Sequence, residues 1–220
     1  MVSPKSMANL QKEQRVSHIR EVAHQTLAEA GYEGLTMRSL AEKCGMSVPT
    51  LYNLIGGKDE ILAQDAVEAF RRVVRATEAK SGGDAIEQTL NLYDAMLDEI
   101  MGDEAYYQAF LPYSSSVAEL RSFHERGARL YQSFLGATLN ARKSQDFDDS
   151  FNLDLAITEL YDLSMAVIIK WSTGSVETEQ LRHRLYYGIS LILGGGMKDE
   201  AKEKITLLGQ RAAEGITQNR

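Results

Sequence analysis

The stretch from Thr36 to Lys58 reads TMRSLAEKCGMSVPTLYNLIGGK, and it decides how the rest of the chain is interpreted. Two short helical periods are separated by Gly45, where the backbone must turn sharply. The apolar positions that would pack the two helices are Leu40, Ala41, Cys44, Met46, Leu51 and Leu54. This spacing is typical of a helix-turn-helix whose second helix enters the major groove of DNA. The alternative is an αα-hairpin in an all-helical core, since helix-glycine-helix patterns are common.

Local signals predict where both helices begin. Thr36 suits the N-cap of a first helix because its hydroxyl accepts a hydrogen bond from an otherwise unpaired backbone N–H. Ser47 caps the second helix in the same way, and Pro49 falls in its first turn, where a missing N–H costs nothing. The residues that stand between the two helices therefore predict a tight turn.

Composition places the whole chain in the all-α class. Its 220 residues are 44% hydrophobic and 25% charged, which is ordinary for a globular protein, and only three are prolines. No run of alternating β-branched residues is long enough to indicate a strand. We expect a three-helix DNA-binding head over 10–57 and a helical body over 58–213 that opens with a long connecting helix over 58–80. Residues 1–9 and 214–220 are predicted to be disordered.

Charge is distributed unevenly along the chain. The net charge is −7, but residues 1–80 carry 11 Lys/Arg against 10 Asp/Glu, whereas residues 81–220 carry 13 against 21. The acidity therefore belongs to the predicted body. A near-neutral head still offers a few placed cations to phosphates.

Cysteine usage and hydropathy bear on the compartment. The single cysteine, Cys44, excludes an internal disulfide and fits a reducing environment; its apolar position favours packing over a redox role. Neither a signal-peptide core nor an apolar run of membrane-spanning length is present. We therefore expect a cytoplasmic protein without a membrane association, a cofactor or a metal.

The last third of the chain carries helices with unusually broad apolar stripes. The helices predicted over 151–171 and 177–193 have apolar residues on two faces, and such stripes need more than one partner surface. Pairing with a second copy of the chain predicts a homodimer. A further helix of the same chain is the alternative cover. The candidate interface residues are Leu160, Leu163, Val167, Leu185, Ile189 and Ile192.

The predicted head resembles the TetR (tetracycline-repressor) family of transcriptional regulators. The resemblance runs from about Ile19 to Leu62 and rests on the segments AEAGY, LTMRSLA, GMSVPTLY and GKDEIL. It covers about a fifth of the chain, and the body matches only in outline. The resemblance implies a DNA-binding regulator, more often a repressor than an activator, with a body that varies too widely to indicate the ligand.

The same resemblance, together with the chemistry of the side chains, indicates which residues contact DNA. Helix N-termini and hydroxyls suit phosphates, apolar side chains suit thymine methyl groups, and a lysine adds a phosphate contact. Plain surface exposure is the alternative for Tyr52 and Lys58. The candidate DNA-binding residues are Thr36, Arg38, Ser47, Val48, Pro49, Thr50, Tyr52, Asn53 and Lys58.

Asn53 departs from the family pattern, which often has an aromatic residue or a histidine after the tyrosine. An asparagine reads adenine through two hydrogen bonds, or it merely caps the end of the helix. The sequence preference of the head is therefore left open.

Aromatic and methionine side chains on the middle helices predict a ligand site in the body. Apolar walls with a few phenol hydroxyls suit a small, mainly hydrophobic or flat aromatic molecule. Ordinary core packing is the alternative for each of them. The candidate ligand-binding residues are Tyr93, Met96, Tyr107, Phe110, Tyr113, Phe123, Tyr131 and Trp171.

The predicted function is a ligand-responsive regulator that is released from a palindromic operator when the effector binds its body. An enzyme is not expected, because no metal-binding, nucleophile-elbow or phosphate-loop motif occurs. No residue is therefore a candidate for a catalytic role. The remaining alternative is a helical protein-interaction module, or a small-molecule-binding protein without DNA recognition.

Overall fold

A computed structural model describes the backbone of residues 4–80, 82–114 and 118–218, and the side chains of residues 9–80, 82–113, 125 and 127–218. Over these ranges the chain forms eleven helices and no β-strand, so the predicted all-α class is confirmed. The helices are α1 Pro4–Gly34, α2 Met37–Lys43, α3 Val48–Ile55, α4 Lys58–Glu78, α5 Ala85–Gly102, α6 Glu104–Ser114, α7 Ala118–Asn140, α8 Lys143–Asp146, α9 Leu153–Ser172, α10 Thr178–Gly194 and α11 Asp199–Gln218.

The first and last helices extend into the terminal ranges for which the sequence predicts disorder. Helix α1 begins at Pro4, and α11 continues to Gln218. The end of α11 packs on α10, since a Cβ atom at Gly215 would lie 2.4 Å from the ring of His183. Close packing of this kind orders a chain end that carries little hydrophobic pattern of its own.

The chain forms two compact units, which we name the head unit and the body unit. The head unit comprises Met1–Glu68 and Asp103–Phe123, and the body unit comprises Ala69–Gly102 and His124–Arg220. The head unit therefore holds α1, α2, α3, the first part of α4, and α6. The expected DNA-binding domain, residues 10–57, lies within it.

A small shared core holds the first three helices together. Ile19 and Leu27 of α1, Leu40 of α2 and Leu51 of α3 are completely buried. Ala41, one of the apolar positions expected to pack the two helices, is 2% exposed. Each buried leucine or isoleucine stabilises the head by about 1.5–3 kcal/mol. Because α3 must bury Leu51, its opposite face is turned to solvent.

The body unit uses glycines to bring its last helices close together. A Cβ atom at Gly188 of α10 would lie 2.0 Å from Leu163 of α9, so the two helices cross at this glycine. On another side of α10, Ser190 lies against Gly209 of α11. Helix α11 thus covers one face of α10. This agrees with the alternative in which a further helix of the same chain covers part of the apolar stripe.

A buried carboxylate anchors the N-terminus of α5 in the body unit. Asp146, at the end of α8, is 7% exposed and accepts a hydrogen bond of 3.1 Å from the backbone N–H of Ala85. The guanidinium group of Arg142 donates to the same carboxylate at 2.8 Å. The backbone donor at the start of α5 therefore has a charged partner.

Replacing Asp146 with alanine is expected to lower the free energy of unfolding of the body unit by about 2 kcal/mol, because a buried backbone donor loses its acceptor. Denaturant unfolding followed by the fluorescence of Trp171, the one tryptophan of the chain, measures the change. Asp149→Ala, an exposed aspartate in the turn that follows α8, is the matched control. Equal losses in the two variants would contradict the role given to Asp146.

Candidate nucleic-acid interface

The turn between α2 and α3 has the geometry that its sequence predicts. Gly45 has φ +64°, a left-handed conformation that favours glycine. The backbone N–H of Met46 donates to the carbonyl of Ala41 at 2.9 Å, which closes the turn after α2. Cys44 is half-buried, and burial raises the pKa of its thiol, in keeping with a packing role.

Side-chain caps hold the leading ends of both helices. The Thr36 hydroxyl accepts from the backbone N–H of Ser39 at 3.0 Å, and the Ser39 hydroxyl accepts from the backbone N–H of Thr36 at 3.1 Å. On α3, Ser47 accepts from the backbone N–H of Thr50 at 3.3 Å. The hydroxyls of Ser47 and Thr50 lie 2.8 Å apart. Both predicted N-caps are confirmed.

The candidate DNA-binding residues lie on the solvent side of the helix-turn-helix. Leu51 and Ile55 turn inward, and the rest of α3 forms the outer face. Tyr52 is 52% exposed. Val48 and Lys58 are half-buried, and the exposed members of the set are Thr36, Arg38, Ser47, Pro49, Thr50, Tyr52 and Asn53.

Arg38 and Asn53 are available for contacts outside the chain. The Arg38 Nε atom lies 3.3 Å from the Glu42 carboxylate, but both side chains are largely exposed, so the pair contributes little and is easily exchanged for a phosphate. Within the described ranges, the Asn53 amide has no hydrogen-bond partner. The backbone N–H of Gly56 donates to the carbonyl of Tyr52 at 2.9 Å, which closes the end of α3 without Asn53.

Lys58 is placed differently from its predicted phosphate contact. Its ammonium group lies 3.7 Å from the centroid of the Tyr32 ring and 3.4 Å from the Tyr32 carbonyl oxygen. The Tyr32 hydroxyl in turn donates to Asp59 at 2.7 Å. Lys58 therefore joins the start of α4 to the end of α1, and its charge is engaged within the head unit.

Two of the candidate ligand-binding residues form a buried pair in the body unit. The hydroxyls of Tyr93 and Tyr131 lie 2.7 Å apart, and the Tyr93 hydroxyl also donates to the carbonyl of Leu160 at 3.0 Å. Burial raises the pKa of both phenols, and burial together with the nearby Asp162 raises the pKa of Tyr161 to about 12. The pair lies in the core and keeps its protons.

The other candidate ligand-binding residues are divided between the two units. In the body unit, Trp171 is 2% exposed and its indole N–H donates to Thr178 at 3.0 Å, while Met96 is half-buried on α5. Tyr107, Phe110 and Tyr113 lie on α6 of the head unit. The side chain of Phe123 lies outside the described residues.

Half of the candidate dimer-interface residues are unavailable to a second chain. Leu160, Leu185 and Ile189 are completely buried in the body unit, because the inner faces of α9 and α10 pack on their own neighbours. Leu163, Val167 and Ile192 are half-buried. The exposed apolar side chains of these helices are Leu155, Tyr187 and Leu191. Helical periodicity identifies apolar faces but not the one that is left uncovered.

Metal-binding clusters and membrane spans are both absent from the residues that the structure describes. No group of three or more His, Cys, Asp or Glu side chains is arranged to hold a metal ion there. No helix in those ranges combines the length and hydropathy that a bilayer span requires.

Comparison with known proteins agrees with this geometry. Residues 19–64 match the sequence model of "Bacterial regulatory proteins, tetR family". The chain is 23% identical over 196 residues to the HTH-type transcriptional repressor KstR of Rhodococcus jostii, covering 87% of this chain and 88% of that protein. KstR of Mycolicibacterium smegmatis is 21% identical over 200 residues, covering 88% and 94%.

Solved structures show the same fold at low sequence identity. A TetR transcriptional regulator from Rhodococcus sp. RHA1 has a TM-score of 0.64 at 18% identity, covering 82% of this chain and 97% of that one. A TetR-family regulator from Marinobacter aquaeolei VT8 has a TM-score of 0.59 at 13% identity, covering 90% and 98%.

The capped turn, the outward polar face of α3 and the helical body define the class of the protein. It is a DNA-binding transcriptional regulator with a helix-turn-helix head. The match over residues 19–64 then identifies the head as a DNA-binding domain of the TetR type. The likeness of the whole chain to the solved TetR regulators is a likeness of fold.

Lys58→Met tests where the ammonium group acts. We expect the head unit to lose about 0.5–1 kcal/mol of stability, because the contact between the ammonium group and the Tyr32 ring disappears. The slope of log affinity for DNA against log salt should not change. If the slope falls by about 1, Lys58 contacts a phosphate after all. Lys12→Met, an exposed lysine on α1, is the control.

Proposed function

We propose that the protein is a repressor that binds a palindromic operator as a homodimer and leaves it when a small, mainly hydrophobic molecule binds the body. The observation that carries the proposal is the outer face of α3, which presents polar and small side chains on a helix whose leading end is capped and whose inner face is buried. Relatives of the chain are named transcriptional repressors.

The proposed DNA-binding domain is residues 10–57, and its contacts divide into two classes. Thr36, Arg38 and Tyr52 lie at the edges of the outer face and suit phosphates, which position the head without reading sequence. Ser47, Val48, Pro49 and Thr50 begin the recognition helix, where small side chains approach base edges and thymine methyl groups. Asn53 is the proposed reader of an adenine.

The operator is obtained by selecting bound duplexes from a random pool with the full-length chain. Arg38→Gln should then weaken binding to every duplex and lower the salt slope by about 1, because one phosphate contact is lost. Asn53→Ala should weaken binding to the selected operator by about 1–3 kcal/mol and relax the preference at one base pair.

Arg211→Gln, which removes an exposed arginine from α11 of the body unit, is the matched control for lost charge. It should leave both the affinity and the salt slope unchanged. Failure to enrich any duplex would overturn the DNA-binding proposal and favour a protein-interaction module.

The homodimer is proposed to form through the exposed apolar residues of α9 and α10. Leu155 is 55% exposed, Leu191 is 61% exposed and Tyr187 is 39% exposed, although all three lie on helices of the body core. Tyr187 and Leu191 border an open groove of about 410 Å³ between α10 and α11, which also contains Ile205. A second copy of the chain would remove this apolar surface from water.

Leu191→Glu should shift the protein from dimer to monomer, because a carboxylate would be buried without a partner in the interface. Size-exclusion chromatography with light scattering at micromolar concentration measures the change. Leu10→Glu introduces the same charge at a leucine of α1 that is 53% exposed and should leave the dimer intact. A monomeric wild-type protein would contradict the dimer itself, and a dimeric Leu191→Glu variant would contradict the surface proposed for it.

The effector is proposed to act by shifting a conformational equilibrium. Helix α4 is continuous from Lys58 to Glu78, and its residues fall in both units. The ligand must bind the released conformation more tightly, since equal affinity for both states shifts nothing. The described cavity beside α4, α5 and α7 is about 130 Å³ and borders Phe134. A drug-sized ligand needs about 300 Å³ or more, so this cavity would have to enlarge to hold one.

A further inference from the structure

One histidine joins three helices of the head unit. His24 lies on α1, and its Nδ1 atom is 3.0 Å from the carboxylate of Asp65 on α4. Its Nε2 atom is 2.5 Å from the carboxylate of Asp103, the residue before α6. The ring also stacks on Tyr106 of α6 with a centroid distance of 3.8 Å and an angle of 2° between the planes.

The two carboxylates constrain the protonation state of this ring. A carboxylate only accepts hydrogen bonds, and a neutral imidazole has one N–H donor, whereas an imidazolium ion has two. Both contacts of His24 are therefore made together only when the ring carries its second proton. On deprotonation, one ring nitrogen presents its lone pair to a carboxylate oxygen, and one of the two links is lost.

The surroundings of His24 favour the charged form. The titratable groups that face the ring are Asp65 from α4, Asp103 from the residue before α6, and Tyr106 from α6. On α1 itself, Arg20 lies one turn earlier, and its guanidinium group donates to Gln64 of α4. Partial burial opposes the charge, but hydrogen bonds and the negative charges of Asp65 and Asp103 outweigh it and raise the pKa of His24 above its usual value.

A second ring, Tyr32, repeats this arrangement just beyond Gly31, whose left-handed backbone (φ +69°) interrupts α1. The Tyr32 hydroxyl donates to Asp59 of α4 at 2.7 Å, and the Tyr32 ring stacks on Tyr113 of α6 at a centroid distance of 4.6 Å. A tyrosine hydroxyl donates without a change of charge near neutral pH. Helix α1 is thus joined to α4 and α6 at two places, through His24 and through Tyr32. Of these two side chains, His24 is the one whose charge changes near neutral pH.

We propose that His24 is a proton-dependent clamp that holds α1 to α4 and α6, and that operator affinity falls when the clamp opens. The second part rests on the proposed function. When the ring is neutral, α1, α4 and α6 are held together less firmly. More of the free-energy cost of ordering these helices then falls on the binding step, and operator affinity decreases. The stabilisation is complete below about pH 6.5, the usual value for histidine, and is lost as the pH rises through the raised value.

Hydrogen exchange tests the clamp without DNA. In the wild-type protein, protection factors for α6 amides, corrected for intrinsic exchange, should fall about tenfold between pH 6 and pH 8.5, as expected for one charge-assisted hydrogen bond. His24→Gln should show lower protection at pH 6 and no such fall. The ¹⁵N chemical shifts of the His24 ring should show both nitrogens protonated at pH 6. An unprotonated nitrogen at pH 6, or equal pH dependence in both proteins, would overturn the clamp.

Two further variants separate the clamp from general destabilisation. Asp103→Asn should keep α6 protected at pH 8.5, because an amide N–H donates to the neutral ring while the amide oxygen still accepts from the backbone N–H of Tyr106, as Asp103 does at 3.3 Å. Tyr32→Phe should lower protection equally at both pH values and leave the pH dependence intact. Loss of protection in Asp103→Asn at both pH values would contradict the proton-dependent mechanism.

Operator titrations at pH 6 and pH 8.5 then test the regulatory part. Between pH 6 and pH 8.5 the operator affinity of the wild-type protein should fall about tenfold more than that of His24→Gln. The extra loss is expected because the clamp opens in the wild-type protein as the pH rises. If both proteins lose the same operator affinity between pH 6 and pH 8.5 while the hydrogen-exchange results are as expected, the regulatory part is rejected and the clamp is retained. Absence of any DNA binding would reject the proposed function and leave the clamp established by hydrogen exchange.

Discussion

Burial of one face of each of the first three helices is the constraint on which the DNA-binding surface depends. Leu27, Leu40 and Leu51 share one small core, and they are completely buried in it. The orientation of α3 follows, because a short helix with its apolar side inside has its polar side outside. The caps at Thr36 and Ser47 then satisfy the backbone donors that this exposed arrangement leaves at the helix ends.

Helix α6 extends the head beyond what its own sequence segment indicates. It follows α5 in the chain, yet it packs along α1, and the His24 and Tyr32 rings hold it there. Both rings combine stacking with a hydrogen bond to an aspartate of α4, so three helices are fixed by two side chains. The head unit is consequently a larger structural unit than the three-helix motif that contacts DNA.

The body unit shows how a broad apolar stripe is divided between partners. Helix α10 packs on α9 through Gly188 and on α11 at Ser190. Tyr187 and Leu191 are left outside. The sequence allows either an intrachain helix or a second copy as the cover, and the structure assigns one face to α11 while the remaining face is proposed for the dimer.

The sequence alone determined the all-α class and the capped helix-turn-helix, because caps, turn glycines and helical periodicity depend on residues within about four positions of each other. Only the tertiary structure decided which surfaces remain accessible. The ammonium group of Lys58 lies over the Tyr32 ring, and Leu160, a residue of an apolar stripe, is completely buried. The His24 clamp joins residues that are 41 and 79 positions apart in the chain, and no local pattern indicates which helices bring such side chains together.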